Sequence, residues 1–444
     1  MTVSLLRALL LQLAVVLVAC GSTPPTTSPD ASSDAVASPS VGLPTGPQAT
    51  PTLGPIPSVA LSPTPTGSLG PTDTPTSDPT AGTPPPTLPA GPLADAFGAQ
   101  LDSILEEQQV IFRIPGLSAA VIFPDGSRWE LARGFADIGR EVETTRETTF
   151  VVGSITKTFV TAAVMQLVDE GGLSLDDPLS DYVADFPNAE NITIAELASH
   201  TSGLYDYFQH PEYNLRVFNE PDHEWRPREI LSEFVLEPYF APGTGYHYSN
   251  TNFVLLGLVV QEAAGMPLPD VLRLRFFEPL GLDSTWSQAA GPPPTTGSLG
   301  YLVQQRGTVG LDDGTTYRPT FASATVAFGA GDIVSTASDL ADWAHALFGG
   351  EVVSADSLAL MENYRYSADA QGTYGLGTRT RLIGQYRLFG HTGSLRGFDA
   401  AMWYVPEADL TIVVLTNRGR IDVNPIVDAL AAPIIDVSAQ GAAQ

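Results

Sequence analysis

The chain of 444 residues contains one cysteine and one lysine, and it lacks several common catalytic motifs. The single cysteine, Cys20, excludes an intrachain disulfide and a thiolate metal cluster. The six histidines form no His-Glu-x-x-His motif and no close pair on one helix face, which argues against a zinc enzyme. There is also no Gly-x-Ser-x-Gly elbow, no P-loop and no Gly-x-Gly-x-x-Gly sequence. These absences exclude α/β-hydrolases, P-loop enzymes and ordinary dinucleotide-binding proteins.

Basic residues are scarce as a class. The chain has 49 acidic and 21 basic side chains, and its formal net charge is −28. Such a chain offers no positive surface for nucleic acid, so we expect no nucleic-acid partner. Charged residues make up only 16% and apolar residues 43% of the sequence, which indicates a globular protein with a substantial core.

The first twenty residues have the pattern of an export signal. Arg7 precedes an apolar run from Ala8 to Ala19, which is too short for a membrane-spanning helix but typical of a signal peptide. The run ends in Leu17-Val18-Ala19-Cys20, which resembles a bacterial lipobox. The alternative is that Cys20 is an ordinary residue of an uncleaved anchor. We expect a signal peptide over 1–19, a lipidated Cys20 and an extracytoplasmic protein held to the bacterial cell membrane by this lipid alone.

Residues 21–92 differ in composition from the rest of the chain. They contain half of the 38 prolines, no aromatic residue, and no charged side chain other than four aspartates. Such a segment buries too little apolar surface to offset its ordering entropy, so residues 20–92 are predicted to be a lipidated cysteine and a disordered linker. Proline at this density favours extended conformations of about 3.1 Å per residue, so the linker could span on the order of 200 Å.

The remaining chain is predicted to be a two-lobed α+β domain over 93–436, followed by a tail over 437–444. Apolar residues at helical spacing predict a helix from Phe97 to Val110, and the middle of the chain, 155–348, is mostly helical in pattern. Strands are predicted near both ends: 117–123, 127–132, 386–392, 400–405 and 410–416. Strands from both ends with helices between them indicate one antiparallel sheet beside a mostly helical lobe, with a cleft where the lobes meet.

Ser154 and Lys157 form the first candidate catalytic pair. Residues three apart share a helix face, so the serine hydroxyl and the lysine amine can meet. A serine needs a neighbouring base to become a nucleophile, and a lysine can act as that base when its environment keeps it partly neutral. The helix start also directs backbone N–H groups at charge developing beside Ser154. The alternative is coincidence, but Lys157 is the only lysine of the chain and lies in an apolar helix.

Two further motifs carry polar side chains of catalytic type. In Tyr248-Ser249-Asn250 the phenol can move a proton and the amide can hold a substrate carbonyl, although the motif is also typical of a helix cap. In His391-Thr392-Gly393-Ser394 the glycine allows a ligand backbone to approach the strand, and Thr392 offers a hydroxyl to a carboxylate. His391 supplies a charge that can be tuned near neutral pH, or else it is a buried structural histidine.

Together these motifs resemble the serine β-lactamase-related family, especially the D-alanyl-D-alanine carboxypeptidases related to class C β-lactamases. The resemblance extends from about Pro115 to Gly419. Supporting stretches are Val168-Asp169-Glu170-Gly171, Ser199-His200-Thr201-Ser202-Gly203-Leu204-Tyr205-Asp206-Tyr207, Thr251-Asn252-Phe253, Ser335-Thr336-Ala337-Ser338-Asp339-Leu340 and Tyr374-Gly375-Leu376-Gly377.

The resemblance assigns a role to each site residue. It implies that Ser154 is acylated, that Lys157 and Tyr248 move protons, and that Asn250 holds the acyl-side amide. The N–H groups of Ser154 and Ser394 would form the oxyanion hole. Thr392 and Arg379 would bind a terminal carboxylate, while the run 199–203 is expected to be structural. The family needs no metal and no cofactor.

The resemblance implies a serine hydrolase acting through an acyl-enzyme. Most penicillin-binding proteins and class C β-lactamases have lysine at the position of His391, so the histidine favours a carboxypeptidase over an efficient β-lactamase. We expect D-alanyl-D-alanine carboxypeptidase activity on peptidoglycan stem peptides. The alternatives are a β-lactamase or esterase of the same family, and a non-catalytic module that binds the wall or senses β-lactams. The expected partners are a peptide or β-lactam substrate and the cell wall, and the expected state is a monomer.

Overall fold

The computed structural model describes residues 91–292, 297–302, 316–317, 321–362, 366–369 and 372–441. The predicted signal peptide, Cys20 and nearly all of the predicted linker lie outside the described residues. Within the described ranges no single helix has the length and apolar character of a membrane span. The helix Thr251–Ala264 and the segment Leu268–Leu280 pass such a test only as a pair, across a bend of 73°.

The described elements are numbered here in chain order. The strands are β1 (Gly116–Ile122), β2 (Arg128–Asp137), β3 (Val142–Glu143), β4 (Phe150–Val151), β5 (Trp286–Ser287), β6 (Gly300–Leu302), β7 (Thr316–Tyr317), β8 (Ile333–Ser335), β9 (Tyr366–Asp369), β10 (Gly372–Tyr374), β11 (Arg379–Ile383), β12 (Tyr386–Leu395), β13 (Phe398–Val405), β14 (Leu410–Thr416) and β15 (Arg418–Gly419).

The helices alternate with these strands and are concentrated in the middle of the chain. They are α1 (Leu93–Ile111), α2 (Thr156–Asp169), α3 (Ile194–Ala198), α4 (Tyr213–Asn219), α5 (Pro227–Phe234), α6 (Thr251–Ala264), α7 (Leu268–Leu272), α8 (Glu278–Leu280), α9 (Phe321–Thr325), α10 (Ala337–Phe348), α11 (Ala355–Met361) and α12 (Asn424–Gly441).

A nine-stranded sheet joins the two ends of the described chain. Its order is β3-β2-β1-β14-β13-β12-β11-β10-β9, and each neighbouring pair is antiparallel. The N-terminal strand β1 pairs with β14, with Leu117 opposite Thr416. This arrangement confirms the α+β prediction of one antiparallel sheet built from both ends of the sequence, beside a mostly helical lobe.

The central strands are buried on both faces of the sheet. In β14, Ile412 and Val414 belong to a core shared with α1 and α12, whereas Val413 and Leu415 belong to the larger core of the helical lobe. A central strand covered on both sides reads as a continuous apolar run rather than an alternating one, which is the pattern of Leu410–Thr416. Strand β14 therefore contributes side chains to the cores on both faces of the sheet.

Several predicted boundaries differ from the structure. Helix α1 begins at Leu93 rather than Phe97, and α12 continues to Gly441, past residue 437 where the sequence analysis starts a tail. Strand β2 extends to Asp137 because its ladder with β1 continues to Gly134 and its end then pairs with β3, although Arg133 and Gly134 interrupt the apolar pattern. The edge strands β9 to β11 were not predicted, since short strands containing glycine and polar residues show no alternation.

Candidate active site

Ser154 lies on a 3₁₀ turn (Gly153–Ile155) that leads directly into α2. Gly153 has a φ of +53°, and a Cβ there would lie 2.8 Å from the backbone nitrogen of Ser394. Gly393 is equally constrained, since its Cβ would meet the carbonyl oxygen of Val152 at 1.8 Å. These two glycines let β12 lie against the serine turn, which brings the backbone N–H groups of Ser154 and Ser394 close together.

Lys157 is fully buried one helical turn after the serine. Its Nζ lies 3.0 Å from Ser154 Oγ, 2.9 Å from Asn250 Oδ1 and 2.6 Å from the carbonyl oxygen of Ala330. Burial holds the pKa of Lys157 well below its usual value, and the positive charge of Arg379 lowers it further, against the opposing effect of Asp206. The neutral amine is therefore accessible as a base for the Ser154 hydroxyl.

Asn250 occupies the N-cap position of α6, but its side chain makes no capping hydrogen bond. Instead Oδ1 accepts from Lys157, and Nδ2 donates to Asp206 at 3.1 Å. Tyr248 stands beside this pair, with its ring centroid 5.1 Å from Lys157 Nζ. The structure thus places the Tyr248-Ser249-Asn250 motif at the nucleophile, and the alternative interpretation as a simple helix cap is wrong.

His391 is buried on β12 beneath the cavity. Its Nδ1 donates to the carbonyl oxygen of Thr392, so the other ring nitrogen, Nε2, accepts from the Tyr374 hydroxyl at 3.0 Å. Burial holds the pKa of His391 well below its usual value, and the charges of Arg379 and Lys157 lower it further. The expectation of a charge tunable near neutral pH is therefore corrected, because His391 is a neutral side chain that supports the strand and its neighbour Tyr374.

Arg379 supplies a permanent positive charge to the cavity. It begins β11 opposite Gly390 of β12, and it is only 5% exposed. Its guanidinium carbon lies 5.3 Å from the ring centroid of Tyr248 and 5.4 Å from that of Tyr374. The two rings lie beside the planar cation, and Arg379 lines the same cavity as Thr392, as expected of a carboxylate-binding group.

A cavity of 430 Å³ collects the predicted site residues. Lys157 does not line the cavity but contacts it indirectly, because its Nζ lies against Ser154 Oγ. Cys20 lies outside the described residues. The other predicted residues all line the cavity: Ser154, Tyr248, Asn250, Arg379, His391, Thr392, Gly393 and Ser394. A larger groove of 1640 Å³ on the helical lobe contains none of them.

Several residues that the structure places at the site have no role predicted from the sequence. Asp206 contacts Asn250, Asp399 lines the cavity, and His200 packs its ring 4.2 Å from that of Tyr248. His200 and Asp206 belong to the stretch 199–207 that carries the family resemblance, but nothing in the sequence indicates what they touch. Among the described residues, no group of three or more histidine, cysteine or acidic side chains is arranged to hold a metal ion.

Comparisons with known proteins show the family of the chain. A model of the Beta-lactamase family matches residues 101–432. The chain belongs to the Beta-lactamase family. Its fold is the β-lactamase/transpeptidase-like fold, and it is a serine-type hydrolase by family.

The relatives cover several activities within the family. Penicillin-binding protein 4 of Amycolatopsis lactamdurans is 30% identical over 69% of this chain and 81% of its own. The D-aminopeptidase of Brucella anthropi is 26% identical over 69% of this chain and 56% of its own. The chain thus spans little more than half of the latter relative.

Solved structures show the same architecture. The D-amino acid amidase of Ochrobactrum anthropi SV3 in complex with L-phenylalanine amide is 28% identical, and the match covers 77% of this chain and 99% of that one with a TM-score of 0.68. A D-stereospecific amidohydrolase from Streptomyces sp. is 25% identical, and the match covers 75% of this chain and 97% of that one with a TM-score of 0.65.

Proposed function

We propose that this protein is a D-alanyl-D-alanine carboxypeptidase that removes the terminal D-alanine of peptidoglycan stem peptides. The observation that carries the proposal is the position of Arg379, which lines the cavity that Ser154 and Thr392 also line. A bidentate cation near the nucleophile suits a substrate that ends in a free carboxylate. The export signal predicted from the sequence is consistent with a substrate outside the cytoplasmic membrane.

The reaction follows from the contacts of Ser154. Neutral Lys157 takes the hydroxyl proton as Ser154 Oγ attacks the peptide carbonyl carbon, and the N–H groups of Ser154 and Ser394 stabilise the oxyanion. Collapse of this tetrahedral intermediate breaks the peptide bond, and Lys157 and Tyr248 return the proton to the departing amine. Water then attacks the acyl-enzyme, which releases the shortened peptide and restores the serine.

A second candidate is an amidase or aminopeptidase that recognises a free α-ammonium group. The similarity to the D-amino acid amidase and the D-aminopeptidase favours it. Two carboxylates, Asp399 and Asp422, also line the cavity and could attract a cation. The two candidates differ in their substrates. A carboxypeptidase cleaves an N-blocked peptide that ends in D-alanyl-D-alanine, whereas an amidase or aminopeptidase cleaves D-alanine amide, which has a free amine. Faster release of ammonia from D-alanine amide than of D-alanine from the peptide would favour the second.

Intact mass spectrometry of the protein mixed with a penicillin tests the proposed nucleophile. We expect a lasting adduct on the unmodified protein and none on the Ser154→Ala variant, because only an acylated serine retains the opened lactam. Rapid loss of the antibiotic without a lasting adduct would instead indicate a β-lactamase. If no adduct forms and the antibiotic is not lost, an esterase or another amide hydrolase is favoured. If none of these substrates is turned over, the non-catalytic binding or sensing module becomes the better interpretation.

A further inference from the structure

A buried carboxylate lies behind the catalytic residues and belongs to none of the roles assigned so far. Asp206 is 5% exposed and directly precedes a 3₁₀ turn, Tyr207–Gln209. Its Oδ1 accepts from the backbone nitrogen of Asn250 at 3.0 Å, from Asn250 Nδ2 at 3.1 Å and from the backbone nitrogen of Phe208 at 3.4 Å. The negative charge of the Asp206 carboxylate is thus stabilised by two donors of Asn250, the last residue of the motif Tyr248-Ser249-Asn250.

These contacts determine the orientation of the Asn250 amide. An asparagine side chain has an acceptor and a donor end of nearly the same shape, so its surroundings decide which end points where. With Nδ2 donating to Asp206, Oδ1 faces Lys157 Nζ at 2.9 Å. The reversed amide would place its oxygen against the carboxylate, which is repulsive. Its NH₂ group would donate to the lone pair of the neutral amine, which is the lone pair that must take the serine proton. The second N–H of Nδ2 stays available to a substrate carbonyl.

Asp206 also acts on Lys157 through its charge. Among the described residues, the titratable side chains near Lys157 include Asp206, Arg379, His200, His391 and Tyr248. Burial holds the pKa values of both histidines well below their usual value, so these rings are neutral at pH 7. Arg379 lowers the pKa of Lys157, whereas Asp206 raises it. Asp206 is therefore the neighbour whose negative charge opposes the lowering of the Lys157 pKa by Arg379.

We propose that Asp206 is a positioning residue for acylation: it fixes the Asn250 amide and, through it, the contact between Lys157 and Ser154. The proposal rests on the proposed function in so far as it takes Ser154 to be the residue acylated. Asp206 touches neither the substrate nor the reacting atoms. It acts through its hydrogen bonds with Asn250 and through its charge on Lys157.

The test compares Asp206→Asn and Asp206→Ala with the unmodified full chain. The rate constant for labelling by a fluorescent penicillin is measured from pH 5 to 9, and hydrolysis of p-nitrophenyl acetate is followed in parallel. Asp206→Asn keeps an acceptor for Asn250 but removes the charge, so the pKa of Lys157 falls. Since neutral Lys157 is the active form, we expect the acidic limb of both profiles to move to lower pH while the plateau rate changes less than about threefold.

Asp206→Ala removes the acceptor as well and lets the amide reverse, so we expect a loss of about 100-fold on the plateau. Asp339→Asn is the matched control, because this half-buried carboxylate accepts from Ser284 and Thr285 on the helical lobe. We expect its pH profile to match that of the unmodified protein.

The outcomes separate this inference from the proposed function. An unmoved acidic limb in Asp206→Asn, or equal losses in both Asp206 variants, would overturn the positioning role and leave the penicillin reaction intact. No penicillin labelling of the unmodified protein would overturn the proposed function, while the ester profiles would still decide the role of Asp206. If Asp206→Ala does not fold, the limb shift in Asp206→Asn decides alone.

Discussion

The environment of Lys157 shows how one side chain acquires a catalytic property. In water a lysine is protonated at pH 7 and cannot take a proton from serine. Here complete burial and the charge of Arg379 lower its pKa, while Ser154 Oγ lies 3.0 Å away. The same guanidinium thus has two expected effects: it promotes the neutral base, and it attracts a substrate carboxylate. Removing it must change both, and the two effects can be separated.

We expect Arg379→Ala to lower kcat/KM by about 10- to 100-fold for peptides that end in a free carboxylate, because a charge-assisted hydrogen bond is lost. Esters without a carboxylate should change less than about threefold. The comparison is made on the alkaline plateau, because loss of the cation also raises the pKa of Lys157 and moves the acidic limb to higher pH for every substrate. Arg387→Ala, an exposed position on β12, is the control. Equal losses on peptides and esters would show that Arg379 does not bind the carboxylate.

At the scale of elements, the site depends on the contact between β12 and the turn that carries Ser154. The contact is made by backbone on backbone, so no side chain can move aside to relieve a clash. Two glycines, Gly153 and Gly393, make this approach possible. The two backbone N–H groups proposed to stabilise the oxyanion come one from each element.

We expect Gly393→Ala to lower the acylation rate at least about 100-fold, because its methyl group would overlap the Val152 carbonyl and displace β12 from the serine turn. The rate of labelling by a fluorescent penicillin measures this effect. Gly172→Ala is a suitable control, since its Cβ would lie 3.7 Å from the nearest atom, the carbonyl oxygen of Leu167. A normal rate in Gly393→Ala would mean that the strand is free to adjust and that the close approach is unnecessary.

The elements also show what the sequence could and could not predict. Strand β14 was predicted with its observed bounds, because a buried apolar run followed a clear turn. The motif residues were found because Ser154 and Lys157 are adjacent on a helix. The contact between Asp206 and Asn250 joins residues 44 positions apart, and it depends on how two loops fold together. The neutral state of His391 likewise follows from burial that no local pattern contains.

At the scale of the whole molecule, some carboxyl groups of this acidic chain are buried rather than exposed to water. The net charge is −28, yet Asp332 is fully buried and Asp399 is 4% exposed. Burial raises the pKa of Asp332 and raises that of Asp399 from 3.8 to about 6. Between pH 3.8 and about 6, the folded protein holds a proton at Asp399 that the unfolded chain has lost. Folding is therefore favoured at the acidic end of this range, and this contribution is lost as the pH rises through about 6.

This linkage predicts how Asp399→Asn changes stability with pH. Asparagine does not titrate, so the unfolding free energy of the unmodified protein minus that of the variant should rise by about 2 kcal/mol between pH 8 and pH 4.5. This change in the difference arises because the Asp399 carboxyl group becomes neutral in the folded protein below about pH 6. It does not depend on how much the two unfolding free energies differ at pH 8. Urea unfolding at several pH values measures it, and Asp176→Asn, at an exposed position, is the control. A difference that stays constant over this range would show that Asp399 ionises alike in the folded and unfolded chains. Its hydrogen bond from the Ile421 backbone would then hold the carboxylate charged beside Ser394, and the cavity would keep a fixed negative charge at pH 5.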